Sequence, residues 1–226
     1  MSSGLVKYNW DFIENYSEEE ITYFLHLEGK SLEAISKIRN LDKGTIQKHI
    51  INAKIKYRYL VKSSSIDELF KSLAQADKSE RVYVLNSLDR VNREKLKDFI
   101  KRNFMDLTLK NKESAIWIIG ELRIEECVDI LIKGTVNNHV NIRRLSVSAL
   151  GKLAHEKGEI ALIRALSDEN SQVVSYAIKS LQKLKSKRAV QRIKEILSIS
   201  DKPYIKKACE EFLTALEHGE TLGEGE

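Results

Sequence analysis

The sequence predicts an all-α protein: a three-helix N-terminal module followed by an α-solenoid of about five helix pairs. Two observations carry this. From Ile66 onward apolar residues recur in register every 31 positions, and before that the stretch 27–59 reads as a helix, a short turn and a second helix. A period near 30 marks stacked supersecondary units. One proline in 226 residues argues against β-sandwich or linker-rich architectures, and 42% apolar with 31% charged residues is ordinary for a helical, globular chain.

The N-terminal residues 1–16 hold Trp10, Phe12, Ile13 and Tyr16, expected to cover the core of the first module. Ser17 followed by Glu18, Glu19 and Glu20 is a strong helix start, with acids in the positive first turn. Ile21, Phe24, Leu25 and Leu27 form its buried face. In the next helix Leu32, Ile35 and Ile38 recur at three-residue steps behind the N-cap Ser31, predicting one buried stripe. Asn40 and Leu41 break the pattern. Asp42 then caps a helix in which Ile46, Ile50 and Ala53 turn inward.

The charge changes sign along this module. Residues 1–36 carry two bases and seven acids, whereas residues 37–62 carry eight bases against the single acid Asp42. A cationic helix behind an acidic pair is the footprint of phosphate approach. The run carried by Gly29, Ser31, Leu32, Glu33, Ile35, Arg39, Leu41, Thr45, Ile46 and His49 resembles the helix-turn-helix at the C-terminus of some RecQ-type helicases, and more loosely the LuxR-type and sigma-factor region-four motifs. Gly44 departs from the pattern by weakening the first turn. The resemblance implies a recognition helix, residues 43–58, in the DNA major groove. Lys43, Thr45, Gln47, Lys48 and His49 would meet base edges or nearby phosphates. Lys54, Lys56 and Arg58, with Lys62, would hold the backbone. The alternative is a packing module with no DNA contact.

Lys62-Ser63-Ser64-Ser65 is the one low-complexity break, which divides the chain into a module of residues 1–62 and a solenoid of residues 66–217. Residues 218–226 are expected to form an acidic, disordered tail. Four apolar series run in register, beginning at Leu69, Leu73, Leu88 and Val91. The first continues through Ile100, Leu131, Leu162 and Ile193. First helices are expected near 66–76, 93–104, 125–134, 158–167 and 187–198. Second helices are expected near 80–91, 112–122, 142–154, 173–184 and 204–216. Neither helix of a pair buries its stripe alone, so neighbours must stack. The segments 141–153 and 168–174 resemble HEAT-like repeats in the short form of phycobilin-lyase-type proteins, with a basic residue opening the second helix and A-L-G-x-L closing it. In that resemblance Arg143 pairs with an acid of the neighbouring turn and with turn carbonyls. Lys112 takes its place one unit earlier. Contact with an anionic ligand is the other reading of this position.

A second basic run, seven bases without an acid from Lys179 to Lys194, includes Lys183, Lys185, Lys187, Arg188 and Arg192. It reads either as an edge that extends the DNA path or as solvated charge. Cys127 and Cys209 match no metal or redox spacing and read as buried thiols in a reducing compartment, so a cytoplasmic location is expected. No apolar run approaches a membrane span. No cofactor, metal or catalytic set is expected, since the five histidines show no ligand or triad spacing. Trp117 and Glu121, four residues apart, offer a further alternative, a HEAT-built alkylpurine DNA glycosylase. The function expected is non-catalytic DNA binding, in transcriptional control or DNA processing, with the concave face of the solenoid open to a protein partner. A protein-interaction scaffold without DNA binding is the alternative.

Overall fold

A computed structural model describes residues 4–220, and every regular element among them is helical. The chain divides into two compact units, Met1–Phe99 and Ile100–Glu226. No helix among the described residues is long and apolar enough to cross a membrane.

The first unit is built on α1 (Glu18–Leu27), α2 (Leu32–Arg39) and α3 (Lys43–Lys62), which pack against one another. Each begins where a short polar side chain satisfies a free backbone N–H. Ser17 and Glu20 form a reciprocal capping box, Ser31 Oγ accepts from Ala34 N, and Asp42 Oδ1 accepts from Thr45 N. Asn40, in the left-handed region at φ 52°, makes the turn between α2 and α3. Phe24, Ile35, Ile46 and Leu60 are buried at its core. Around Phe24 stand Tyr8, stacked at 4.5 Å, and Tyr16, edge-on at 5.1 Å.

Three expectations fail locally. Ile38 is 58% exposed rather than part of the α2 stripe, because α2 is only two turns long and rests on Ile35 and Leu32. Phe12 and Ile13 also face solvent; Leu5 and Val6 are the buried residues among those described in the N-terminal segment. The domain boundary moves too. α4 (Ile66–Gln75) and α5 (Lys78–Ser87) pack on α3, so the division falls inside α6 (Arg90–Asn103), after Phe99. The serine run is a pair of caps rather than a linker. Ser63 Oγ donates to Tyr59 O at 2.8 Å, Ser64 N and Oγ both donate to Glu68, and Ser65 Oγ accepts from Glu68 N. The N-terminal segment closes the unit: Leu5 N donates to Leu60 O, and the buried Asn92 side chain donates to Leu5 O.

The second unit stacks α7 (Leu109–Leu122), α9 (Val140–Leu153), α11 (Ser171–Lys183) and α13 (Pro203–Glu220) in succession. Against the last three lie α8 (Val128–Gly134), α10 (Glu159–Ala165) and α12 (Val190–Ile199). All ten expected solenoid helices form, but the first pair, α4 and α5, belongs to the first unit. Val91, expected at the end of a second helix, is instead at the exposed start of α6. α13 continues to Glu220, so the expected tail begins no earlier than 221, and residues 221–226 lie outside those described.

Within the stack the 31-residue register is physical. Ile100, Leu131, Leu162 and Ile193 are all fully buried. Arg123 and Ala154 cap second helices in the left-handed region and Lys185 adopts it one residue past the cap of α11, each followed by a single turn of 3-10 helix, at Glu125–Cys127, Glu156–Gly158 and Lys187–Ala189. An L-residue is strained there. Ala154→Gly is therefore expected to stabilise this unit by roughly 0.5–1 kcal/mol, less than the full steric relief because glycine also loosens the unfolded chain; a urea titration measures it. Close packing of the second helices needs small residues. A Cβ on Gly151 would stand 2.9 Å from the Ser180 Cα, and one on Gly120 would stand 3.0 Å from the Ala149 Cβ.

Arg143 locks one inter-pair turn to the next. Its guanidinium donates to both Asp168 oxygens at 2.8 and 3.1 Å, to Glu169 at 2.9 Å, and to the carbonyls of Asn137 and Asn138. This is the structural pairing that the HEAT-like resemblance implies. The thiols of Cys127 and Cys209 are buried, which pushes both up to about 11.

Candidate nucleic-acid interface

The face of α3 turned away from α1 and α2 begins at Lys43 and runs through Gln47, Lys48, Ile51, Lys54, Ile55 and Arg58 to Lys62. It is opposite Ile46, Ile50, Ala53 and Leu60, whose burial fixes the rotation of the helix. The side chains of Gln47, Lys48, Lys54 and Lys62 make no hydrogen bond or ion pair among the described residues. They are the groups this face holds out to a partner.

The other expected contacts are committed elsewhere. Thr45 donates its hydroxyl to Asp42 Oδ2 at 2.6 Å and completes the cap. His49 is half-buried, with Nδ1 3.2 Å from Thr22 Oγ1. The Thr22 hydroxyl already gives its proton to Glu18 O, so at His49 it accepts. Lys56 donates to Glu20 Oε1 at 2.8 Å, beside Tyr57 OH on the same oxygen at 2.5 Å. Arg58 reaches across to Glu80 of α5 and to Tyr59 OH. Lys43 pairs with Glu33, but both side chains are about 60% exposed, so this pair yields readily to a phosphate. Each withdrawal has one cause: an acceptor on α1, α2, α5 or the cap that lies away in sequence or reads only as a cap.

Sequence reasoning missed Ile51 and Ile55, 57% and 62% exposed in the middle of the basic face. The signal is present in the sequence, because both fall off the Ile46, Ile50 and Ala53 stripe. With Tyr23, Val61 and the stem of Lys54 they wall a shallow groove. Apolar side chains in that position can meet thymine methyl groups or a protein partner. Lys54 also acts inward: burial, reinforced by the Lys54 charge, holds the His26 imidazolium below its usual range.

Glu20 anchors the helix that carries this face. Burial alone would raise its carboxyl, but hydrogen bonds from Lys56, Tyr57 and the Ser17 N–H outweigh it and hold the group at about 2. Its folded-state value lies below the unfolded value of 4.5, so the stability it contributes is fully present above pH 4.5 and fades as pH falls toward 2. Trp10 fluorescence across that window is expected to show the first unit loosening, and Glu20→Gln to flatten that dependence while lowering stability at neutral pH.

The second basic run lies at the end of α11, in the following turn and on α12 of the second unit, where it includes Lys183, Lys185, Lys187, Arg188 and Arg192. It is less cationic than its sequence implies. Arg188 pairs with Glu159, and Arg192 with Glu195 and Ser167, all three partners lying outside the run. Lys183 and Lys185 make no such pair among the described residues. Glu121, the carboxylate of the glycosylase reading, is engaged by Lys152 at 2.5 Å, and the same ammonium sits over the Trp117 ring.

Fold and face together define a class: a helix-turn-helix unit carried on the same chain as an array of paired helices. Comparison with known families agrees. Residues 18–105 match a family described as a helix-turn-helix domain, and residues 137–214 match one described as HEAT repeats. The first match runs on through α4 and α5, as the compact unit does. No curated protein matches the chain.

Proposed function

We propose that this is a non-catalytic DNA-binding protein of a reducing, cytoplasmic compartment, acting in transcriptional control or as an accessory to DNA processing. The single observation that carries the reading is the outward, uncommitted set Gln47, Lys48, Lys54 and Lys62 on α3. The N-terminal turns of α3 would enter the major groove, where Gln47 suits an adenine edge and Ile51 a thymine methyl. Lys48, Lys54 and Lys62 would meet phosphates. The helix-pair array would supply a surface for a protein partner, and Lys183 and Lys185 a further cationic edge.

The test is association of the full chain with a random-sequence duplex over ~50–200 mM salt, where an affinity falling linearly in log–log form supports the reading. An affinity absent at the lowest salt would sink it. One observation favours a second reading, in which α3 docks a protein: the exposed Ile51 and Ile55. Ile51→Ser with Ile55→Ser separates the two, because it abolishes a protein contact yet leaves the salt slope on DNA intact.

A further inference from the structure

The clamp at Arg143 has a counterpart one period earlier that is incomplete. Lys112 stands 31 residues before Arg143, and the acids that hold Arg143, Asp168 and Glu169, correspond to Asn137 and Asn138. The turn itself is preserved. Asp168 Oδ1 accepts from Asn170 N at 2.8 Å, and Asn137 Oδ1 accepts from His139 N at 2.9 Å. What has gone is the charge.

At this place lies a cavity of about 600 Å³ within the second unit, lined by Lys112 and Asn137. Lys101 and Lys133 line it too, against one acid, Asp129. None of the three lysine side chains makes a hydrogen bond or ion pair among the described residues. Apart from His139, its remaining walls are apolar or glycine, among them Phe104, Met105, Leu109 and Ile142, of which Met105 is 77% and Leu109 43% exposed at the rim. The volume lies in the range of pockets that hold a ligand side chain or small molecule.

We propose that this cavity binds an acidic peptide segment of a partner protein, taking one of its carboxylates at Lys112 and a neighbouring large apolar side chain against Phe104, Met105 and Leu109. The next period shows what the position accepts, since there a carboxylate fills it from within the chain. Charge complementarity selects an anion, and the apolar walls select one attached to a hydrophobic side chain. A duplex is a poor fit, because its phosphates ride on a convex rod and gain nothing from an apolar recess. The proposal does not depend on the DNA reading of α3.

The probe is the fluorescein-labelled peptide Ser-Asp-Glu-Phe-Asp-Leu-Gly-Ser, compared by anisotropy on the full chain with a control carrying Asn and Gln for Asp and Glu. The acidic probe is expected to bind about tenfold tighter than the control, and Lys112→Glu with Lys133→Glu to remove that advantage. Asn137→Asp is the sharper variant: it keeps the turn, puts a carboxylate in the wall of the cavity that Lys112 also lines, and is expected to weaken the probe about fivefold with no loss of stability. Equal binding of both peptides, no binding, or affinity indifferent to these substitutions would overturn the proposal. So would a loss confined to duplex binding, which would assign the lysines to nucleic acid.

Discussion

Arg143→Ala is expected to be among the most damaging single changes in the second unit, costing about 3–5 kcal/mol, the usual penalty for stranding one partner of a buried ion pair. The Arg143 and Asp168 side chains are only 10% and 8% exposed, so Asp168 would be left buried without its counter-ion. Two turn carbonyls would lose their donor as well. Glu169, 85% exposed, adds little. Trp117 fluorescence in a Trp10→Phe background reports this unit separately during urea unfolding. The double variant Arg143→Met with Asp168→Asn is expected to recover most of the loss, since asparagine holds the same turn at Asn137 and leaves no stranded charge. A single-variant cost below about 1 kcal/mol would mean that the clamp is ornamental.

The second large effect concerns function. Lys48→Ala with Lys54→Ala is expected to weaken duplex binding at least about tenfold near 0.1 M salt and to make the log–log slope shallower by about 2, one for each phosphate left without its lysine. Lys56→Met, on the same helix and with the same change of charge, is the discriminating control. Because Lys56 is spent on Glu20, its removal should lower the stability of the first unit and leave the slope unchanged. If all three lysines changed the slope alike, the net charge of α3 and not its geometry would govern binding.

The comparison of Lys54 with Lys56 shows where sequence reasoning reaches and where it stops. Periodicity located every helix of the array, because burying Leu131, Leu162 and Ile193 leaves the chain no other rotation. It also placed Gln47, Lys48 and Lys54 on the outward face, since Ile46, Ile50 and Ala53 define the inward one. It could not tell a free base from a committed one. The partners of His49, Lys56 and Arg58 are Thr22, Glu20 and Glu80, between 22 and 36 residues away. Nor could composition distinguish a serine-rich linker from serines that cap two consecutive helices, as Ser63 to Ser65 do. A boundary set at those serines falls too early for that reason.

The recurrence of Arg123, Ala154 and Lys185 makes the array extensible. Residues 124–154 comprise one full turn, helix pair and left-handed stop, so a tandem copy inserted after Ala154 would begin and end in the same backbone state. Ala149 of the copy would settle on Gly151 of the original just as Ala149 now settles on Gly120. The copied Asn137 would stand opposite the original Arg143. A lengthened protein thus requires one substitution, asparagine to aspartate at that duplicated turn.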